Sequence, residues 1–210
     1  MQSLKKFLSL GFLAVIALTS GCMTLEADIE DMSSVYMQSA KPGAATIIIS
    51  DLSDNRTNQE LVGRICALNL ATKTPINVII ANRIASRLRQ EGFNVQKVAL
   101  NNPRSKREAT EALKHTEGKV IITGSLDRFF IESGDAVLET ARGRVTYRVD
   151  ILDKFGKSVF YKTYSAYTQK HIGLDVNKRT VEFIEKTVQE TVNQLFYDTK
   201  FRAFLSQMKR

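Results

Sequence analysis

The side chains that most often carry catalysis are scarce in this sequence. Its two histidines are His115 and His171, and neither has a Cys or Glu at the spacing of a zinc site. Gly124-Ser125 falls inside a predicted strand, without the turn that exposes a nucleophile, and the sequence contains no Gly-rich phosphate loop. We therefore expect no catalytic residue, no metal site and no cofactor, and a protein that is not an enzyme.

The residue with the clearest chemistry is Cys22. Lys5 and Lys6 precede an uncharged apolar stretch, residues 7–18, and small residues then lead to Cys22, which is the pattern of a secretory signal peptide. A helix over that stretch would be roughly 18 Å long, whereas a bilayer core is ~30 Å thick. A retained membrane span is therefore not expected.

The junction Leu18-Thr19-Ser20-Gly21-Cys22 resembles the lipobox of bacterial lipoproteins, although Thr19 stands where Leu is usual. The resemblance implies cleavage between Gly21 and Cys22 and lipid on the Cys22 thiol, which would anchor the chain to a membrane facing the periplasm. In such lipoproteins an Asp after the cysteine marks inner-membrane retention. Since Met23 stands there, the resemblance implies the outer membrane. The alternative is an ordinary signal peptide with a chance cysteine.

Length and charge bound the rest of the chain. Removal of the signal peptide, residues 1–21, leaves 189 residues, for which we expect a lipidated flexible tether over 22–43 and a single domain over 44–210. The net charge falls from +8 to +6 because the signal peptide carries Lys5, Lys6 and no acid. A basic periplasmic protein is expected to meet anionic lipid or glycan rather than nucleic acid. Cys66 then has no cysteine to pair with in the chain.

Apolar periodicity predicts an α+β fold: a largely antiparallel or mixed sheet of four to five strands with helices packed on one face. Strands are predicted at residues 44–50, 93–95, 120–131, 137–152 and 158–168, with a hairpin or edge strand within 61–70. Helices are predicted at 75–91, 105–114, 177–196 and 199–209, the first ended by Gly92 in the left-handed conformation.

The turn at residues 153–156, with Gly156 left-handed, sets the expected register of the last hairpin. It would place Ile151 opposite Val159 and Val145 opposite Ser165, all facing the core. The other face would then be basic and aromatic, with Arg144, Arg148, Lys162, Phe160 and Tyr164. Such a face is either a solvated surface or a site for phosphate-bearing lipid or glycan.

A second polar cluster, Asp51, Asp54 and Arg56, follows the first strand of the domain. Two carboxylates and a guanidinium could hold a partner's backbone or a cation. The simpler interpretation, which we favour, is that Asp residues bond their own turn and Arg56 pairs with one of them.

The domain resembles the YajG-type family of uncharacterised bacterial lipoproteins over nearly all of residues 44–205. The likeness rests on Asp54-Asn55-Arg56, Thr74-Pro75, Gly92-Phe93, Gly156, Tyr164-Ser165-Ala166 and Asp198-Thr199. It implies an outer-membrane-associated lipoprotein without known enzyme activity, and it assigns no binding residues.

The strand from Val120 to Gly124, with the helix and Gly92-Phe93 before it, is also similar to TolB-N-like domains of envelope lipoproteins. That likeness implies an accessory factor that docks on an envelope machine. We therefore expect a lipid-anchored binding protein with an envelope protein as partner. The competing expectation is a lipoprotein that holds lipid, glycan or lipopolysaccharide on the basic face.

Overall fold

The computed structural model of the chain describes residues 24–27, 43–65, 68–133, 140–171 and 176–209. These contain nine strands and four helices. In chain order they are β1 (Thr24–Ala27), β2 (Thr46–Ser50), β3 (Ser53–Asp54), β4 (Leu61–Ile65), β5 (Leu68–Thr72), α1 (Ile76–Gln90), β6 (Asn94–Val98), α2 (Lys106–Lys114), β7 (Val120–Glu132), β8 (Thr140–Asp153), β9 (Ser158–His171), α3 (Val176–Tyr197) and α4 (Thr199–Met208).

Strand β7 organises a single mixed sheet. Along one edge it pairs antiparallel with β8, which in turn pairs antiparallel with β9. Along its other edge it pairs in succession with β2, β3 and β4, all parallel. Beyond these lie β6, next to β2, and β5 and then β1, next to β4. The α+β class is confirmed, but four to five strands was an underestimate, because strands of two to five residues are too short to show a clear alternation.

Helices lie on both faces of the sheet. The main core joins one face to α1, α3 and α4, through buried side chains such as Ile84, Ile184 and Phe201. A smaller core places Ala109 and Leu113 of α2 against the opposite face. The prediction that all helices share one face is therefore wrong for α2. The run Ile47-Ile48-Ile49 reflects this arrangement, since its alternate side chains are buried in the two different cores.

The turn between β8 and β9 is confirmed, and the predicted register beyond it is wrong. Gly156 has φ +77° and its N–H donates to the carbonyl of Asp153 at 2.9 Å. Leu152 faces Ser158 as predicted, but Ile151 faces Phe160, so Val159 is an extra residue that bulges out of β9. From there on every pair is shifted by one residue, and Val145 faces Ala166 instead of Ser165.

Strand β1 lies within the segment that we expected to be a flexible tether. It pairs parallel with β5, and Ala27 is buried in the main core. The domain therefore includes residues that precede the predicted boundary at residue 44.

Candidate functional site

The residues of the predicted lipid attachment, Gly21 and Cys22, lie outside the described residues, and so does Cys66. Within the described ranges, no helix is both long and apolar enough to span a bilayer. The same ranges contain no group of three or more His, Cys, Asp or Glu side chains placed to hold a metal ion.

The cluster Asp51, Asp54 and Arg56 does not form one site. Asp54 and Arg56 form a two-pronged ion pair, with Nη2 to Oδ2 at 2.7 Å and Nε to Oδ1 at 2.9 Å. Arg56 also donates to the carbonyls of Gln59 and Leu61, both at 2.8 Å, and is buried. Asp51 instead pairs with Lys97 of β6 at 2.5 Å. The favoured interpretation of this cluster, internal pairing, is confirmed for Arg56.

Lys162 lies away from Arg144 and Arg148. The bulge at Val159 puts Lys162, Phe160 and Tyr164 on the face that packs against α1, α3 and α4. There Lys162 forms an ion pair with Asp198 at the start of α4. Phe160 and Tyr164 are buried in the main core. The predicted basic and aromatic face is therefore wrong in three of its five members.

The buried phenols of Tyr147 and Tyr164, on the same face of the sheet as Lys162, have a structural role. Tyr164 stacks on Tyr147 with ring centroids 5.2 Å apart, and the Tyr147 hydroxyl donates to the carbonyl of Thr191 at 2.8 Å. Burial raises the pKa of both phenols, and the Asp198 carboxylate adds to the effect on Tyr164. Both hydroxyls stay protonated at neutral pH, so neither can serve as a base.

The opposite face of β7, β8 and β9, here called the outer face, is nevertheless basic and aromatic. Arg144 of β8 lies between Phe130 of β7 and Tyr167 of β9 in one row across the strands. Phe130 is 38% exposed and Tyr167 is 57% exposed. Arg128 and Arg142 occupy the flanking rows of the same face. The predicted kind of surface therefore exists, but its rings come from different residues.

Charge is unbalanced on the half of the outer face that carries Phe130, Arg142, Arg144 and Tyr167, here called the far half. Arg144 pairs with Glu132 at 3.4 Å, with both side chains nearly half exposed. Arg128 and Arg142 form no ion pair with any carboxylate in the described ranges. This half of the face therefore presents arginine and aromatic side chains with an excess of positive charge.

The other half of the outer face, which lies beside α2 and is here called the near half, forms a groove of about 280 Å³. Its floor comes from residues 123–125 of β7 together with Arg148 and Asp150 of β8. Tyr161 of β9 lines it too, as do Arg104 and Lys106 at the start of α2. The groove exists because α2 covers this face of the sheet only over Ile48, Ile121 and Leu152.

A bulge in β7 organises the polar contacts of the groove. Leu126 faces Tyr147 and Arg128 faces Thr146, so Asp127 is the extra residue. Its carboxylate accepts from Asn55 Nδ2 at 2.7 Å and from Ser125 Oγ at 3.0 Å, and it lies 3.5 Å from Arg148 Nη2. Bulges recur beside functional sites because they redirect single side chains.

Three cations border the groove with incomplete pairing. Arg104 donates from Nε to Ser53 Oγ at 3.0 Å and from Nη2 to Asn55 Oδ1, both of which are neutral. Arg148 Nε has no hydrogen-bond partner among the described residues. Lys106 lies 3.5 Å from Asp150, a carboxylate that also accepts from Ser158. The groove can therefore accept an anion without losing an existing strong pair.

Sequence reasoning found Arg148 but missed Arg104, Asp127 and Tyr161. Arg104 and Asp127 are far apart in the chain and converge only through the loop after β3, where Asn55 contacts both. The Asp54-Asn55-Arg56 motif marks this loop in the sequence, and within it Asn55, rather than the two charged residues, lines the groove.

No protein-family model and no curated protein matches the chain. Among solved structures, protein XCC0632 of Xanthomonas campestris, from the family DUF330, is similar with a TM-score of 0.52 and 9% identity. That match covers 88% of this chain and 99% of that one. At this identity the likeness shows a shared fold alone.

Two bacterial lipoproteins are weaker matches. GNA1162 of Neisseria meningitidis has a TM-score of 0.43 and 10% identity, and the match covers 73% of this chain and 99% of that one. A minor lipoprotein of Acinetobacter baumannii has a TM-score of 0.40 and 10% identity, and the match covers 77% of this chain and 93% of that one. At these TM-scores neither likeness bears on the activity or location of this chain.

Proposed function

We propose that this chain is a lipid-anchored lipoprotein of the outer membrane that acts, without enzyme activity, as an accessory factor binding another envelope protein. The anchor rests on Lys5, Lys6, the apolar stretch and the lipobox-like junction at Cys22. The YajG-type resemblance supports the same assignment.

The observation that carries the binding role is the row of Phe130, Arg144 and Tyr167 on the far half of the outer face. Exposed aromatic and arginine side chains are the types enriched at protein interfaces and at their energetic hot spots. Arg128 and Arg142 flank the row and leave it positive, so an acidic partner surface would be complementary.

Site-specific photocrosslinking in whole cells tests this role. A photoreactive phenylalanine at Tyr167 should trap one defined envelope protein, and Arg142→Glu with Arg144→Glu should lower the yield of that adduct. The matched control is the same probe at Phe155, which is 81% exposed in the turn between β8 and β9, away from the row. Absence of a protein adduct at 167, or the same adducts from both positions, would argue against the role.

The anchor is tested by fractionation. Cys22→Ser should release the domain into the soluble periplasmic fraction or leave the signal uncut, whereas Cys66→Ser should fractionate like the wild type. Met23→Asp should move the protein to the inner membrane if lipoprotein sorting applies. A Cys22→Ser protein that matured and stayed membrane-bound would refute the anchor.

A ligand-binding role is a second candidate, in which the outer face holds an anionic lipid or glycan. The observation that favours it is the groove, where Arg104, Lys106 and Arg148 outnumber the carboxylates of Asp127 and Asp150. If binding such a ligand is the sole role of the chain, the crosslinking at Tyr167 would trap no protein, and ligand would be extracted with the purified lipoprotein instead.

A further inference from the structure

We infer that the groove beside α2 binds an anionic sugar, with the carboxylate or phosphate of the ligand between Arg104 and Arg148 and its ring against Tyr161. This inference rests on the second proposed role and gives it a site and a ligand class. It is independent of the protein partner proposed for the far half of the outer face.

The anion follows from the hydrogen-bond capacity that the groove leaves unused. Arg104 donates its side-chain hydrogen bonds to the neutral oxygens of Ser53 and Asn55, and Arg148 Nε is buried without a partner in the described part of the chain. Guanidinium groups bind carboxylates and phosphates through two parallel N–H donors, in bonds about twice as strong as neutral ones. An anion in the groove would therefore gain charged hydrogen bonds that the protein alone does not make.

The two carboxylates nearby do not cancel this preference. Asp127 accepts from Asn55 and Ser125 as well as facing Arg148, and Asp150 accepts from Ser158 and faces Lys106. The Asp150 side chain is only 13% exposed. These carboxylates are bonded into the groove wall, where they fix the cations and leave the remaining donors to a ligand.

The sugar follows from Tyr161 and from the shape of the groove. Tyr161 is 59% exposed, and the Arg148 guanidinium lies 5.8 Å from its ring centroid, which holds the ring beside the cations. The C–H faces of a sugar ring pack on such an exposed ring, while its hydroxyls meet the polar floor formed by Thr123 and Ser125. A fatty-acyl chain would instead need a floor of aliphatic side chains, and no Val, Leu, Ile or Met is among the described lining residues of the groove.

Calorimetric titration of the purified lipidated protein in detergent tests the inference. The probes are trigalacturonate, glucose 6-phosphate, neutral galactotriose and inorganic phosphate, so that carboxylate and phosphate sources are separated. At least one anionic sugar should bind and galactotriose should not. Arg104→Gln and Arg148→Gln should each weaken binding about tenfold, as expected for loss of one charged hydrogen bond.

The matched control is Arg142→Gln, which removes an arginine from the same face but outside the groove and should leave affinity unchanged. Tyr161→Ala should weaken the sugar and spare inorganic phosphate. The inference is overturned if neither anionic sugar binds, if Arg142→Gln costs as much as Arg148→Gln, or if phosphate binds as tightly as the sugars. Crosslinking at Tyr167 uses neither Arg104 nor Tyr161, so failure of the groove and failure of the protein partner give separate results.

Discussion

Asp198 joins the sheet to the C-terminal helix and offers a sharp test of the packing described above. Its Oδ1 caps α4 by accepting from the N–H groups of Lys200 at 2.8 Å and Phe201 at 3.0 Å. Its Oδ2 pairs with Lys162 of β9. The capped turn places the ring of Phe201, which is fully buried, against Phe160 and Phe196. One carboxylate therefore serves both the helix start and the edge of the sheet.

Two substitutions separate these roles. Asp198→Ala removes cap and charge: loss of an N-cap costs about 1 kcal/mol, and a pair with a half-exposed lysine adds up to about 1 kcal/mol. Asp198→Asn keeps a good capping side chain and removes only the charge, so its free energy of unfolding should fall by less than about 1 kcal/mol. Urea unfolding at pH 7 measures both variants against the wild type.

The pH dependence gives a second readout. Burial alone would raise the pKa of Asp198, but hydrogen bonds from Lys162 and from the N–H groups of Phe201 and Lys200 outweigh it and lower the pKa below its usual value. The contribution of the charge is therefore fully present above the unfolded pKa of about 3.9 and is lost as pH falls through the lower folded pKa. The stability gap between wild type and Asp198→Asn should close in acid. Equal losses for Asn and Ala, or a gap that persists below both pKa values, would refute this account.

Three other substitutions have effects that follow from single contacts, each measurable by chemical denaturation. Tyr147→Phe should cost about 1 kcal/mol, because it removes a buried hydroxyl that donates to a carbonyl of α3 at 2.8 Å. Gly124→Ala should cost about 3 kcal/mol, because a Cβ there would lie 1.9 Å from a carbonyl oxygen of β8. Arg56→Lys should cost about 2 kcal/mol, because an ammonium cannot keep the fork to Asp54 and the two carbonyl contacts together. Losses below about 0.5 kcal/mol would contradict the respective contact.

The elements that could be predicted from sequence are those whose signal is local. Apolar side chains at helical spacing predicted α1 and α3 to within a few residues, and Gly92 and Gly156 have positive φ as their turns require. Helix α2 was predicted from Ser105 and Glu108, which have the spacing of a capping box. The antiparallel pair of β4 and β5 confirms the hairpin, one of the two structures expected for residues 61–70. Each of these features is formed by residues that are close together in the sequence, within one helix or one hairpin.

The face on which α2 packs could not be predicted in the same way. Its apolar side chains, Ala109 and Leu113, contact Ile48, Ile121 and Leu152, which come from three strands. An apolar strand run such as Ile47-Ile48-Ile49 indicates burial on both sides, but it does not say which helix covers which side. The groove is bounded by α2, so its existence could not be read from periodicity either.

The register of the last hairpin shows why the members of the outer face were misassigned. Val159, Tyr161 and Tyr167 alternate along β9, and so do Phe160, Tyr164 and Ala166, so the two sets have similar apolar content. Only the bulge at Val159 decides which set enters the core. A bulge leaves no strong local signal, and the packing of Phe160 on Phe201 that accompanies it joins residues far apart in the chain.

The two bulges act together to assemble the outer face. The bulge at Val159 turns Tyr161 outward beside Arg148, and the bulge at Asp127 supplies the carboxylate that faces the same guanidinium. Without the first, Tyr161 would point into the core, and without the second, Arg148 would lose its described acidic partner. The groove therefore depends on two one-residue insertions in separate strands, and the same insertions turn Phe160 of β9 and Phe129 of β7 into the main core. Each bulge thus fixes a core side chain and an outer-face side chain together, because a shift of one residue moves alternate side chains to opposite faces of the sheet.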